Sequence, residues 1–128
     1  MNQLTKIINP LTSNNQIGKK GEQIAIDYLV AKGYKIIKRN FYFGKVGEID
    51  IIAENDNEIV FFEVKIQNTN AFGDARFWIT PSKQKKIRKT AEGFLFVFKP
   101  KFASYRFDAI IINTQVNPPL IEHIENAF

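Results

Sequence analysis

Two short apolar segments separated by a polar turn carry charged residues where strands usually place apolar side chains. The segments are residues 47–53 and 59–66. Their charged residues are Glu48, Asp50, Glu63 and Lys65. Apolar residues occupy both alternating positions of each segment, which is typical of strands buried on both faces. Because charges on buried strands are rarely left unpaired, the pattern predicts a central hairpin that carries a polar site.

The residues between the two segments predict the register of this hairpin. They are polar, and Asx residues tolerate the left-handed conformation that a tight turn requires. We therefore expect the turn to be centred between Asp56 and Asn57. This register places Asp50 opposite Glu63, with their Cβ atoms roughly 4.5–5.5 Å apart.

Strand periodicity predicts which of these side chains share a face. A period of two puts Glu48, Asp50 and Ile52 on one face of the first strand. It likewise puts Glu63 and Lys65 on one face of the second strand, and Lys65 opposite Glu48.

Two opposed carboxylates repel each other, so a cation between them is expected. Mg²⁺ is a suitable ion because it prefers oxygen ligands and is often held by one or two carboxylates together with water and phosphate. Mn²⁺ is an alternative ion. The competing interpretation is an ion pair between Glu48 and Lys65 on a solvated face, with Asp50 and Glu63 exposed beside it.

Composition favours a single small domain with a polyanionic partner. The chain has 128 residues, of which 45% are hydrophobic, and it contains 12 Phe and no Cys. A net charge of +5 favours nucleic acid as the partner. No leader or membrane-spanning run is visible in the sequence, so no membrane association and a cytoplasmic location are expected.

Periodicity, caps and helix breakers predict one domain over residues 14–128, preceded by a flexible arm over residues 1–13. The first predicted helix begins at Ser13 or Asn14 and ends at Gly33. The second predicted helix runs from Pro81 to about Phe98. Outside the hairpin, strands are predicted at Tyr34 to Lys38, Tyr105 to Ile112 and Leu120 to Ile124; loops are predicted at Lys38 to Lys45 and Asn68 to Ile79. This order predicts an α/β fold with a mixed four- to five-stranded sheet flanked by helices.

Two groups of residues outside the hairpin are candidates for a site. Glu22 lies at the border of the apolar stripe of the first helix, where it can point toward the acidic hairpin or remain a surface residue near the helix N-terminus. The second helix opens with a basic run that contains Lys83, Lys85, Lys86 and Lys89. This run predicts a phosphate-binding surface, with a solvated helix face as the alternative. Arg39 and Lys45 are candidate second contacts.

The motifs together resemble the YraN-type family of endonuclease-like proteins. The resemblance covers most of the chain and rests on Gly18-x-x-Gly21-Glu22, Gly33-Tyr34, Arg39-Asn40, Gly47-Glu48-Ile49-Asp50, Glu63-Val64-Lys65, Phe72-Gly73, Lys83 with Lys86-Ile87, and Arg106-Phe107-Asp108. That family is similar to Holliday-junction resolvases and to restriction endonucleases of the PD-(D/E)XK group. The chain departs from it at Gln67, where the family usually has arginine.

The resemblance implies a restriction-endonuclease-like fold and a role for each candidate. It implies Asp50 and Glu63 as metal ligands, Lys65 as the residue that positions or activates the attacking water, and Glu22 as the residue that completes the acidic site. The expected function is metal-dependent cleavage of DNA, including branched DNA. A non-catalytic nucleic-acid-binding or assembly module and an RNA-directed nuclease are the alternatives, and a homodimer is left open.

Overall fold

A computed structural model describes residues 14–67 and 78–128 of the chain, with side chains described from Gly18 onward. The elements are helix α1 (Asn14–Ala31), strands β1 (Lys35–Phe43), β2 (Gly47–Asn55) and β3 (Glu58–Gln67), helix α2 (Pro81–Phe98), and strands β4 (Ser104–Asn113) and β5 (Leu120–Ile124). The five strands form one sheet in the order β1-β2-β3-β4-β5. The predicted mixed sheet flanked by helices is therefore confirmed. The predicted arm over residues 1–13 and most of the predicted loop after Asn68 lie outside the described residues.

The β2–β3 hairpin has the predicted turn. Asp56 and Asn57 both have positive φ, at 50° and 64°, as a two-residue turn matched to the strand twist requires. Asn55 pairs with Glu58, and the antiparallel pairing continues to Ile51 and Phe62. The predicted register is confirmed over this stretch.

Strand β1 is longer than predicted. The sequence indicated a loop from Lys38 to Lys45, but the strand continues to Phe43 and pairs with β2 up to Gly47. Its basic and aromatic residues belong to an edge strand, where alternate side chains face solvent. The register shifts between Ile36 and Lys38, so a bulge rather than a strand end explains the irregular pattern.

Helix α2 connects β3 to β4, which pair in parallel. A parallel pair needs a long crossover, and a helix is the usual one. The helix begins as predicted, with Thr80 as the N-cap and Pro81 in the first turn, and the Thr80 side chain accepts a hydrogen bond from the Lys83 amide. It ends at Phe98, where Lys99 adopts a left-handed conformation.

The sheet separates two apolar clusters. Helix α2 contributes Ile87, Ala91 and Phe94 to one cluster, which contains Ile52 and Phe61 from the sheet. Helix α1 contributes Ala25 and Leu29 to the other cluster, which contains Ile51, Phe62 and Ile110. Each fully buried large side chain contributes roughly 1.5–3 kcal/mol, so both faces of the central strands are stabilised by burial. Among the described residues, no helix combines the length and apolar character needed to cross a membrane.

Candidate functional site

The alternation of side chains along β2 breaks at Asp50. Ile49 and Ile52 pack on the α2 side of the sheet, whereas Ile51 packs on the α1 side. Ile49 and Ile51 are two residues apart and would share a face in a regular strand. The pairing with β3 also ends at Ile51, one residue short of Asp50. Asp50 therefore lies where β2 begins to separate from its neighbour.

This irregularity corrects the predicted position of Glu48. A side chain at Gly47 would point at Thr90 of α2, and Ile49 is also on the α2 side, so Glu48 faces the α1 side. The prediction that Glu48 shares a face with Ile52 is wrong. Glu48 instead pairs with Tyr42 of β1, and its carboxyl group interacts with the Tyr42 hydroxyl and raises the pKa of Tyr42.

The carboxyl groups of Asp50 and Glu63 are in direct contact. They lie within hydrogen-bonding reach of each other, so a proton on one of them would bridge the pair. Asp50 Oδ2 also accepts a hydrogen bond of 2.8 Å from the Val64 amide. The pKa of Asp50 is raised to about 8, chiefly by burial and then by the adjacent Glu63 carboxyl. Without a cation nearby, charging both carboxyl groups costs considerable free energy.

Lys83 supplies one positive charge to this pair. Its Nζ lies 3.1 Å from Glu63 Oε2, and its charge also lowers the pKa of Asp50. Helix α2 positions Lys83 in its first turn, beside Glu63 of β3. The sequence predicted Lys83 as part of a nucleic-acid surface, and only the packing of α2 on the sheet brings it to the acids.

Lys65 is on the same side of β3 as Glu63, as predicted. Both residues line a small pocket of about 40 Å³ together with Lys83 and Ile79. The volume is comparable to the roughly 30 Å³ that a water molecule occupies in the liquid. The Lys65 side chain is exposed, so its ammonium group can reach solvent or a substrate at the mouth of this pocket.

Glu22 extends the acidic site on the α1 side. Partial burial raises the pKa of Glu22, and the charges of Asp50 and Glu48 raise it further, while a hydrogen bond from the Asn40 side chain lowers it. Asn40 adopts a positive φ of 51°, which Asn tolerates better than most residues. Glu22 therefore points toward the sheet rather than into solvent, and Asn40 is a site residue to which the sequence analysis gave no role.

The acids suit a metal ion completed by other ligands. No three Asp, Glu or His side chains in residues 18–67 and 78–128 lie close enough together to surround one ion. Asp50 and Glu63 nevertheless offer adjacent carboxylate oxygens, and Mg²⁺ typically uses one or two carboxylates together with water and substrate phosphate. The donor set therefore fits Mg²⁺ or Mn²⁺ in an open site.

The cations of α2 are divided among three environments. Lys83 reaches the acids, whereas Arg88 lies over the rings of Phe107 and Phe128, 4.7 and 5.7 Å from their centroids. The remaining cations of the basic run, Lys85, Lys86 and Lys89, are exposed. The other predicted contacts, Arg39 and Lys45, are exposed on β1 and in the turn that follows it. Lys85, Arg88 and Lys89 line an open groove on α2, so this helix presents an exposed basic surface.

A second polar cluster lies at β4 and β5 and includes Arg106 and Asp108 of the Arg106-Phe107-Asp108 motif, to which the sequence gave no role. Asp108 is fully buried and accepts hydrogen bonds from Arg106 Nε at 3.0 Å and the Asn126 amide at 3.0 Å; its Oδ2 lies 2.7 Å from His123 Nε2. His123 Nδ1 lies 3.2 Å from the Tyr28 hydroxyl. Because these groups satisfy one another, we assign them a structural role.

Comparisons with known proteins place the chain in a family. The model of the uncharacterised protein family UPF0102 matches residues 21–112. A UPF0102 protein of Thermodesulfovibrio yellowstonii is 45% identical over 113 residues, covering 88% of this chain and 96% of that protein. UPF0102 proteins of Geobacter metallireducens and Clostridium botulinum are 42% and 44% identical, each match covering 90% of this chain and 93% and 95% of the relative. The chain therefore belongs to the uncharacterised protein family UPF0102.

Proposed function

We propose that this protein is a metal-dependent nuclease that hydrolyses phosphodiester bonds of nucleic acid, with DNA as its substrate. The observation that carries the proposal is the direct contact between the Asp50 and Glu63 carboxyl groups at the point where β2 and β3 separate. A purely structural pair of buried acids would cost stability with no compensating gain. The resemblance to the YraN-type and PD-(D/E)XK proteins supports the same assignment.

In this proposal Asp50 and Glu63 would hold Mg²⁺ or Mn²⁺ together with water and substrate phosphate. Such an ion lowers the pKa of a bound water and stabilises charge that develops on phosphate. The Val64 amide fixes the orientation of Asp50. Lys65 orients the attacking water from the mouth of the pocket, and Glu22 adds negative charge on the α1 side.

The exposed basic surface of α2 supplies the binding of substrate. Lys85, Lys86 and Lys89 would contact backbone phosphates without reading base sequence. Phosphate groups are also favoured near the N-terminus of a helix by the helix dipole. Because the first turn of α2 also carries Lys83, a strand bound there would lie near the Glu63 carboxyl group.

The nuclease prediction is tested with Asp50→Asn and Lys65→Ala. Asn cannot supply a negative ligand, so Asp50→Asn should abolish cleavage while binding of nucleic acid is retained or tightened. Lys65→Ala should slow cleavage by roughly 10²- to 10⁴-fold, the range for loss of a proton-transfer group, and should retain metal binding. Cleavage is measured on linear, single-stranded and four-way-junction DNA and on RNA, with Mg²⁺ and with Mn²⁺.

Matched controls separate the site from general effects of charge. Asp27→Asn removes an exposed carboxylate that accepts a hydrogen bond from Gln23 on the surface of α1, and it should cleave normally. Cleavage that persists in Asp50→Asn would overturn the assignment of the metal site. Binding without cleavage of any substrate by the wild-type protein would favour a non-catalytic binding module, and cleavage confined to RNA would change the substrate class.

A further inference from the structure

We propose that Lys83 is the internal counterion of the Asp50–Glu63 pair, that a divalent ion displaces it, and that the displaced ammonium group then binds a nucleic-acid phosphate. The inference rests on the proposed function, because it requires a metal at these carboxylates. It adds a coupling between the two ligands: metal binding should strengthen nucleic-acid binding through one residue.

The position of Lys83 shows that it already acts as a cation for the acids. The Nζ atom is 3.1 Å from Glu63 Oε2, whose side chain is only 13% exposed. The Asp50 carboxyl lies beside that of Glu63 and is also within the electrostatic influence of Lys83. A single ammonium group therefore lies beside both acids.

Lys83 is also free to leave. Its side chain is 51% exposed, and the backbone of this residue is held separately by a 3.2 Å hydrogen bond from its amide to Thr80 Oγ1. A lysine ammonium group sits on a flexible four-carbon stem, so its movement requires no change in the helix. The exchange is thus a rotation of one side chain.

Electrostatics favours the exchange once a dication is present. An ion of charge +2 is attracted to the carboxylates more strongly than an ammonium group at the same distance, and it repels the ammonium group that it replaces. The released group remains beside the exposed lysines of α2, where phosphates are expected to bind. Binding linkage requires the converse effect, in which nucleic acid tightens metal binding by the same factor.

The first measurement is titration of protein with Mn²⁺ alone by isothermal calorimetry. Lys83→Met removes the competing charge and should bind Mn²⁺ about fivefold more tightly or better, at the lower end of usual coupling factors. Lys83→Arg keeps a cation and should stay close to wild type. Lys101→Met is the matched control, since Lys101 is exposed and lies near Ala103, whose amide bonds Asn57 at the opposite end of the hairpin.

The second measurement is binding of a labelled DNA duplex with and without Mn²⁺, followed by fluorescence anisotropy and checked by gel to confirm that the DNA remains intact. Wild type and Lys101→Met should gain affinity about fivefold or more when Mn²⁺ is added. Lys83→Met should lose most of that gain although its metal site is occupied. A role of Lys83 confined to stability would alter neither the Mn²⁺ affinity nor this ratio.

The outcomes distinguish the two proposals. Mn²⁺ binding to wild type with unchanged affinity and unchanged coupling in Lys83→Met overturns the role of Lys83 and leaves the nuclease proposal intact. Absence of Mn²⁺ binding to wild type overturns both, because the carboxylate pair would then hold no metal. Weaker Mn²⁺ binding in Lys83→Met would show that Lys83 organises Glu63, which also contradicts displacement.

Discussion

At the scale of single residues, Asp50 combines two requirements that conflict in the metal-free protein. Its backbone belongs to a central strand, yet its carboxyl group must remain beside that of Glu63. The Val64 amide and the Lys83 ammonium group favour its charged form, whereas burial and Glu63 favour its neutral form. Burial and Glu63 prevail, so the residue retains a proton where an ordinary aspartate has none.

This balance predicts a dependence of stability on pH. The pKa of Asp50 is raised from 3.8 to about 8, so the folded state binds a proton that the unfolded state has lost. The raised pKa of Asp50 contributes fully to the free energy of unfolding below pH 3.8, and this stabilisation is lost as the pH rises to about 8. In EDTA, Asp50→Asn should therefore be more stable than wild type above this range, by roughly 1–3 kcal/mol, the usual cost of an incompletely compensated buried polar group.

Chemical denaturation at several pH values measures the difference between the two proteins. The difference should grow from low to high pH in EDTA. Mg²⁺ should stabilise wild type and leave Asp50→Asn unchanged. A difference that is constant with pH would contradict the raised pKa of Asp50.

At the scale of elements, close contacts made by glycine hold α2 against the first two strands. A Cβ atom at Gly47 would lie 2.8 Å from Thr90 Oγ1, and one at Gly93 would lie 2.5–2.7 Å from three ring carbons of Phe43. These distances are shorter than normal van der Waals contact. The helix therefore reaches the β1–β2 hairpin only because both positions lack a side chain, and this approach carries Lys83 to Glu63.

A pair of glycine substitutions tests this packing. Gly93→Ala should destabilise the protein by roughly 1–3 kcal/mol, because the Phe43 ring must move. Gly18→Ala meets nothing within 4 Å and should stabilise α1 by roughly 0.5–1 kcal/mol through lower backbone entropy in the unfolded chain. Thermal unfolding measures both changes, and equal effects at the two sites would contradict the proposed contact.

At the scale of the whole molecule, charge is distributed unevenly. The net charge is +5, but Asp50 and Glu63 lie together at the sheet, Glu22 interacts with Asp50 and Glu48 from α1, and exposed lysines lie on α2. Asp108 of β4 contacts His123 of β5 and accepts a hydrogen bond from the Asn126 amide in the C-terminal segment. The buried network thus anchors the sheet, and the acidic and basic surfaces remain available for ligands.

The basic surface predicts a salt-dependent interaction with nucleic acid. Each phosphate contact that is lost reduces the slope of log K against log salt concentration by about one. Replacing Lys85 and Lys89 together by Ala should weaken binding to any DNA sequence and flatten this dependence by up to about two. Anisotropy titrations over a range of salt concentrations measure the slope, and an unchanged slope would indicate that this helix face is merely solvated.

Sequence patterns alone were sufficient for the local features of the fold. The Asp56-Asn57 turn predicted the β2–β3 register, and Thr80-Pro81 predicted the start of α2, because both signals depend on the conformations available to a few neighbouring residues. The turn also predicted that Asp50 and Glu63 lie side by side, and their carboxyl groups are adjacent although the β2–β3 pairing ends at Ile51. The identity of the acidic pair was therefore predictable before any tertiary contact was known.

Other features were decided by tertiary structure. The change of face at Asp50 and the extension of β1 past Lys38 depend on how neighbouring strands pair. The alternation of side chains along a single strand does not predict this pairing. The contact of Lys83 with Glu63 and the orientation of Glu22 depend on how the two helices lie on the sheet. Local propensity cannot predict such contacts, because their free energy comes from residues distant in the chain and appears only when both cores are packed.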